Sequence, residues 1–108
     1  MKWYKDLYLG ESLMSSWQKV IRSIKAGKFL PEVYVIAFAS NPENMLDIIP
    51  SRELLQSAYP KDALRIIGVA RGKKEAIAVV QQIVEETYAK TGDVQIRQYL
   101  KDKWREQL

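Results

Sequence analysis

Polar and basic side chains follow each of the two most apolar runs of the chain, residues 33–39 and 64–70. In sheets of parallel strands, ligands bind beyond the carboxyl ends of the strands, where a following helix also offers free backbone N–H groups. The side chains that would meet there are Ser40, Asn41, Asn44, Arg71, Gly72, Lys73 and Lys74. Their amide, hydroxyl and cationic groups suggest a site for a small phosphorylated or carboxylated ligand.

No phosphate-binding motif supports this hypothesis. The segment Gly-Val-Ala-Arg-Gly at 68–72 has the spacing of neither GxGxxG nor GxxxxGK[ST]. In the competing interpretation, Gly72 forms a turn and the two lysines that follow it are solvated, and we favour this interpretation from the sequence alone.

A basic helix face suggests a second kind of partner. Lys19, Arg22 and Lys25 recur every three residues, and Lys28 follows them. Residues 1–31 hold six basic and two acidic side chains, so the whole formal net charge of +4 lies in this part of the chain. Such a face could follow a phosphate backbone. No aromatic residues alternate with the basic ones, however, so a solvated face is favoured over nucleic-acid binding.

The chain contains neither cysteine nor histidine. This excludes disulfides, thiolate metal sites and a cysteine nucleophile, and it removes the usual general base near neutral pH. We therefore assign no catalytic residue, metal site or cofactor, and an enzyme is the least favoured class. The charged first residues and the short longest apolar run, 33–39, predict a cytoplasmic protein with no membrane association.

Aromatic and apolar residues gather near both ends of the chain: Trp3, Tyr4, Tyr8, Leu100, Trp104 and Leu108. Chain termini often lie close together in space. If exposed, these residues would form an interface patch, and if covered they would belong to the core. The sequence leaves both possibilities open.

The elements that must position these residues predict a small α/β domain. Residues 33–39 and 64–70 read as strands, and because each run is continuously apolar we expect them to pair in parallel. Helical periodicity predicts helices over 12–26 and 73–90, and shorter helices ending near Ile49 and beginning at Ser51. The expected core residues are Trp17, Val35, Ile36, Ile66, Ile67, Val80 and Ile83.

Two strands alone make a poor sheet. A third is therefore expected from residues 4–9, from residues 94–98 or from a second subunit. Residues 4–9 fit a strand or a helical turn, whereas the tail favours a helix capped by Asp93 over a strand at 94–98. The scarcity of strands and the aromatic termini together predict a homodimer.

From the sequence, the favoured function is a non-enzymatic interaction or regulatory module acting as a homodimer. The alternative is a binder of a small anionic ligand at the strand ends, and a nucleic-acid-binding module is third.

Overall fold

A mixed four-stranded sheet with helices on both faces forms the middle of the molecule. The computed structural model describes residues 1–39 and 45–105. The strands and helices, in chain order, are β1 (Lys2–Leu9), α1 (Trp17–Lys25), β2 (Val33–Phe38), β3 (Leu46–Pro50), β4 (Arg65–Arg71), α2 (Lys73–Thr91) and α3 (Ile96–Arg105). Short 3₁₀ helices cover Glu11–Leu13, Ser51–Leu55 and Lys61–Ala63.

The strand order is β1-β4-β2-β3. The α/β class is confirmed, but the predicted direction of the main strand pair is wrong. β2 and β4 are antiparallel, with Val33 opposite Arg71 and Ala37 opposite Ile66. The parallel pair is instead β1 with β4.

The error arose in the segment between β2 and β4, which was expected to be helical. Leu46–Pro50 forms β3, antiparallel to β2, so the predicted helix ending near Ile49 is wrong. The β-branched Ile48 and Ile49 favour a strand there. β2 is continuously apolar because helices cover both of its faces, and this burial does not require a parallel neighbour.

Both terminal segments belong to the domain. Residues 2–9 form the expected additional strand, and the tail forms the favoured helix rather than a strand. One chain therefore supplies four strands to the sheet.

The core has one cluster on each face of the sheet, because successive strand residues point to opposite faces. On one face, the sheet packs against α2 and α3, and the cluster there contains Tyr4, Tyr8, Ile36, Ile67, Ala70, Ala76, Val79, Ile83, Ile96, Leu100 and Trp104. On the other face, the sheet packs against α1 and the 3₁₀ helices, and the cluster there contains Leu13, Val20, Ile24, Val33, Val35, Ala37, Ile49, Leu54, Ile66 and Val69. Of the predicted core, Val80 and Trp17 are only half-buried, whereas the other five residues are buried as expected.

Candidate functional site

The two strands that precede the residues of the predicted anion site end at opposite ends of the sheet. Because β2 and β4 are antiparallel, their carboxyl ends lie at opposite ends of the sheet. Arg71 ends β4 at one end of the sheet, beside the end of β1, and Gly72, Lys73 and Lys74 follow it. Ser40, Asn41 and Asn44 follow β2 and lie outside the described residues. A cleft occupies each end of the sheet.

The first of these, the Glu75 cleft, lies at the carboxyl ends of β1 and β4 and has a volume of about 800 Å³. Its lining includes Gly10, Met14, Arg71, Gly72, Lys73, Lys74, Glu75 and Gln82. Gly72 has φ of 81°, a backbone conformation that favours glycine, and it directs the chain from β4 into α2. Four of the seven residues of the predicted ligand site, which are consecutive in the sequence, thus line one cleft.

The Glu75 carboxylate accepts hydrogen bonds from the donor groups that lie beside this cleft. Its oxygens accept hydrogen bonds from the Arg71 N–H at 2.6 Å and from the Ser12 N–H and hydroxyl, both at 2.9 Å. Burial acts to raise the pKa of Glu75, but these hydrogen bonds outweigh burial, and the pKa lies below its ordinary value. A Cβ at Gly10 would collide with this carboxylate. The chain therefore places its own anion where a ligand anion was expected.

The second cleft, the basic cleft, lies beyond the end of β2 and the start of β4 and has a volume of about 750 Å³. It is lined by Phe38, Ala39, Asp47, Ile49, Tyr59, Pro60, Ala63, Leu64, Arg65, Arg97 and Lys101. Arg97 and Lys101 are four residues apart on α3, so they share one face of that helix. Among the described residues that line the cleft, these two and Arg65 are cations, and Asp47 has a carboxylate.

Arg97 contacts its own chain in this cleft. Its Nη2 donates a hydrogen bond to the Ala39 carbonyl oxygen at 2.6 Å, and its guanidinium lies 5.9 Å from the centre of the Phe38 ring. Opposite, burial raises the pKa of Tyr59, and the negative charges of Glu53 and Asp47 add to this effect. The cleft thus contains one cation held in place, Arg97, together with the aromatic residues Phe38 and Tyr59.

A polar cluster holds α3, and with it Arg97 and Lys101, against the rest of the domain. Glu86 accepts hydrogen bonds from the Tyr8 and Tyr99 hydroxyls at 2.5 and 2.9 Å, and its carboxylate lies 3.2 Å from Lys103 Nζ. Lys103 Nζ also lies 5.6 and 5.7 Å from the centres of the Tyr8 and Tyr99 rings.

The same contacts shift the ionisation of this cluster. Burial acts to raise the pKa of Glu86, but the hydrogen bonds from Tyr8, Tyr99 and Lys103 outweigh it and lower the pKa. Burial raises the pKa of Tyr8, and the hydrogen bond to Glu86 raises it further. The hydroxyls therefore stay protonated donors and the carboxylate stays charged at neutral pH.

No known protein family, curated protein or solved structure matches this chain. Its own geometry must therefore carry the argument about function. In residues 1–39 and 45–105, no three acidic side chains are grouped closely enough to hold a metal ion. Over the same ranges, no helix has the length and apolar character needed to cross a membrane.

The predicted nucleic-acid residues lie on an open helix face. Lys19, Arg22, Lys25 and Lys28 are all exposed. Helix α1 turns Val20, Ile21 and Ile24 towards the sheet, so the basic residues occupy the remaining side. Lys25 Nζ lies 5.6 Å from the centre of the Trp3 ring, which leaves this lysine in contact with its own chain.

Most of the predicted interface residues lie in the core. Tyr4, Tyr8, Leu100 and Trp104 are buried beneath α2 and α3, and the Tyr4 and Trp104 ring centres are 5.0 Å apart. Trp3 is half-buried, and Leu108 lies outside the described residues. The sequence left open whether these residues form an interface patch or belong to the core, and these four belong to the core.

Sequence reasoning missed Glu75, Asp47, Tyr59, Arg65, Arg97 and Lys101. The position of Glu75, third in a helix that follows a glycine turn, is a signal that could have identified it as a capping carboxylate. The four-residue spacing of Arg97 and Lys101 was also visible. Their meeting with Arg65 depends on how α3 packs, which no local pattern specifies.

Proposed function

We propose that the protein is a non-enzymatic binding module that holds a small anionic ligand in the basic cleft. The observation that carries this proposal is the convergence of Arg65, Arg97 and Lys101 on one cleft of about 750 Å³. Clefts of roughly 300–1,000 Å³ are typical of sites for small molecules. Arginine is suited to carboxylates and phosphates because its planar guanidinium can donate two parallel hydrogen bonds.

Positioning of the cations supports the proposal further. The Ala39 carbonyl and the Phe38 ring hold the Arg97 side chain before any ligand arrives. Less side-chain entropy is then lost on binding, which favours affinity. Lys101 and Arg97 are both half-buried, so a ligand anion between them would be partly shielded from water.

We propose further that one chain is sufficient for this function. Arg65, Arg97 and Lys101 meet in the cleft through the packing of α3 within the chain. The sequence predicts a homodimer because two strands are too few for a sheet and the terminal aromatic residues have no assigned place in the core. The domain itself supplies four strands and buries Tyr4, Tyr8 and Trp104. Self-association and a regulatory role stay predictions.

Isothermal titration calorimetry with inorganic pyrophosphate and with citrate tests the proposal. We expect Arg65→Met and Lys101→Met each to raise Kd by about ten-fold, the equivalent of one lost charged contact. Their free energies of unfolding should change by less than about 0.5 kcal/mol, because both side chains are on the surface of the cleft.

Two matched variants serve as controls. Arg22→Met removes an exposed arginine from α1, and Lys74→Met removes a lysine from the Glu75 cleft. Both should leave the Kd unchanged. Absence of binding by the unaltered protein, or equal losses in all four variants, would contradict the assignment of the basic cleft.

A further inference from the structure

One acidic side chain distinguishes the basic cleft from a simple anion site. Asp47 lies on β3 opposite Ala37 and lines the cleft together with Tyr59. Within the described residues, it forms no ion pair with Arg65 or Lys101, since the ion pair found there joins Lys103 and Glu86. The cleft therefore presents a carboxylate acceptor as well as three cations.

A ligand that was only an anion could bind the cations but would leave this carboxylate without a donor. A ligand with N–H or O–H donors on one part and an anionic group on another would satisfy both, because a carboxylate accepts up to two donors side by side. Tyr59 lines the same cleft and offers an aromatic ring, whereas the Phe38 ring already packs against Arg97 and Trp104. Aromatic side chains of this kind stack with nucleobases, whichever base is present.

From these three features, and resting on the proposed function, we infer that the ligand is a nucleoside phosphate whose base carries N–H donors. Arg65, Arg97 and Lys101 hold the phosphate, and an aromatic wall receives the base. Asp47 accepts hydrogen bonds from the base edge. Guanine fits best, since its N1–H and N2 amino group form two adjacent donors that a carboxylate can accept together.

Four nucleoside monophosphates test this inference, because they share ribose and phosphate and differ only in the base. Calorimetric titrations would compare guanosine, inosine, adenosine and xanthosine monophosphates. We expect guanosine monophosphate to bind about ten-fold or more tightly than adenosine monophosphate, the size of discrimination that a paired base edge provides.

The variant Asp47→Asn gives the sharper test. The asparagine amide replaces one acceptor by a donor, so guanine loses a partner while the C2 carbonyl of xanthine gains one. We expect the preference between guanosine and xanthosine monophosphates to reverse. Asp93→Asn is the matched control, because this exposed aspartate caps Val94 through one oxygen that asparagine retains.

Pyrophosphate separates failure of this inference from failure of the proposed function. Its Kd should stay equal or fall in Asp47→Asn, because a negative charge leaves the cleft. If pyrophosphate binds but the four nucleotides bind equally in both proteins, base recognition by Asp47 is refuted and anion binding stands. If neither pyrophosphate nor any nucleotide binds, both proposals are refuted.

Discussion

The Glu75 cleft and the basic cleft lie at opposite ends of one sheet, and both contain groups that can bind an anion. In the Glu75 cleft, the Arg71 N–H and the Ser12 N–H and hydroxyl bind the chain's own carboxylate. In the basic cleft, the described lining residues include three cations, Arg65, Arg97 and Lys101, and one carboxylate, that of Asp47. The Glu75 cleft therefore shows that donor groups next to a strand end can serve a carboxylate of the chain itself.

The two clefts also differ in what holds them together. The donors of the Glu75 cleft are the Arg71 N–H at the end of β4 and the N–H and hydroxyl of Ser12 in the 3₁₀ helix that follows β1, so they lie next to the ends of two paired strands. The basic cleft takes Arg97 and Lys101 from α3, which is attached through side chains, namely Trp104 and the Glu86 cluster. Ligand binding in the basic cleft should therefore depend on the packing of α3.

Trp104→Ala should have the largest effect, because this residue attaches α3 to the sheet. Its side chain is 9% exposed and lies against Tyr4 and Phe38, with ring centres 5.0 and 6.3 Å away. Truncating a buried tryptophan costs about 3–5 kcal/mol. Urea unfolding would measure this loss, and calorimetry with pyrophosphate should show that the remaining folded protein binds more weakly.

The comparison predicts that the same variant leaves the Glu75 cleft intact. Hydrogen exchange of the Ser12 amide, measured relative to global unfolding, should stay as protected as in the unaltered protein. Tyr88→Ala is the control, because that aromatic side chain is 61% exposed. If Trp104→Ala exposes the Ser12 amide as much as the α3 amides, the two ends are not independent.

Glu75→Ala should have an intermediate effect. It leaves the donors of Ser12 and Arg71 without their acceptor at the start of α2, and we expect a loss of about 1–2 kcal/mol in unfolding free energy. Acetate should restore part of this loss, since a small carboxylate can occupy the vacated position. Glu85→Ala, an exposed glutamate on the same helix, should lose less and show no acetate effect.

The pH dependence of the Glu75 contribution follows from its lowered pKa. A carboxyl group with a lower pKa in the folded state stabilises the protein fully above its unfolded-state pKa and loses this effect as the pH falls through the folded-state value. The stability difference between the unaltered protein and Glu75→Gln should thus be greatest above the ordinary value of 4.5 and shrink below it. A difference that grows in acid would contradict this account.

Local patterns predicted the elements better than their arrangement. The continuous apolar run of β2, the helix over α2 and the tail helix are all visible in the residues, because each depends on neighbours in the sequence. The direction of β4 relative to β2 depends on the whole connection between them. β3 runs back to the start of β2, and the segment 51–64 then returns the chain to the end of β2, where β4 begins. The five residues of β3 resemble the end of a short helix. Helical periodicity likewise does not specify which side of α2 faces the sheet, and Val79 is buried there rather than the predicted Val80.

The candidate site was predictable to a similar extent. Arg71, Lys73 and Lys74 were found because they follow an apolar strand, and they do share a cleft. The sequence analysis considered only the cationic side chains, and it therefore missed Glu75, the next residue in the chain, which accepts the hydrogen bonds there. Arg65 and Arg97 are brought together by the packing of α3 against β1 and α2, which no spacing within the sequence reveals.

The smallest effect should come from removing both lysines that the sequence placed in an anion site. Lys73 and Lys74 are exposed, and the donors beside them already bind Glu75. We expect Lys73→Ala combined with Lys74→Ala to change the unfolding free energy by less than about 0.5 kcal/mol, as surface substitutions usually do. The Kd for pyrophosphate should also stay within about two-fold of the original, since screening at physiological salt limits the influence of distant charges. A ten-fold loss in this variant, with Lys101→Met unaffected, would move the ligand site to the Glu75 cleft. That outcome would mean that Glu75 is displaced by the ligand rather than held permanently in its place.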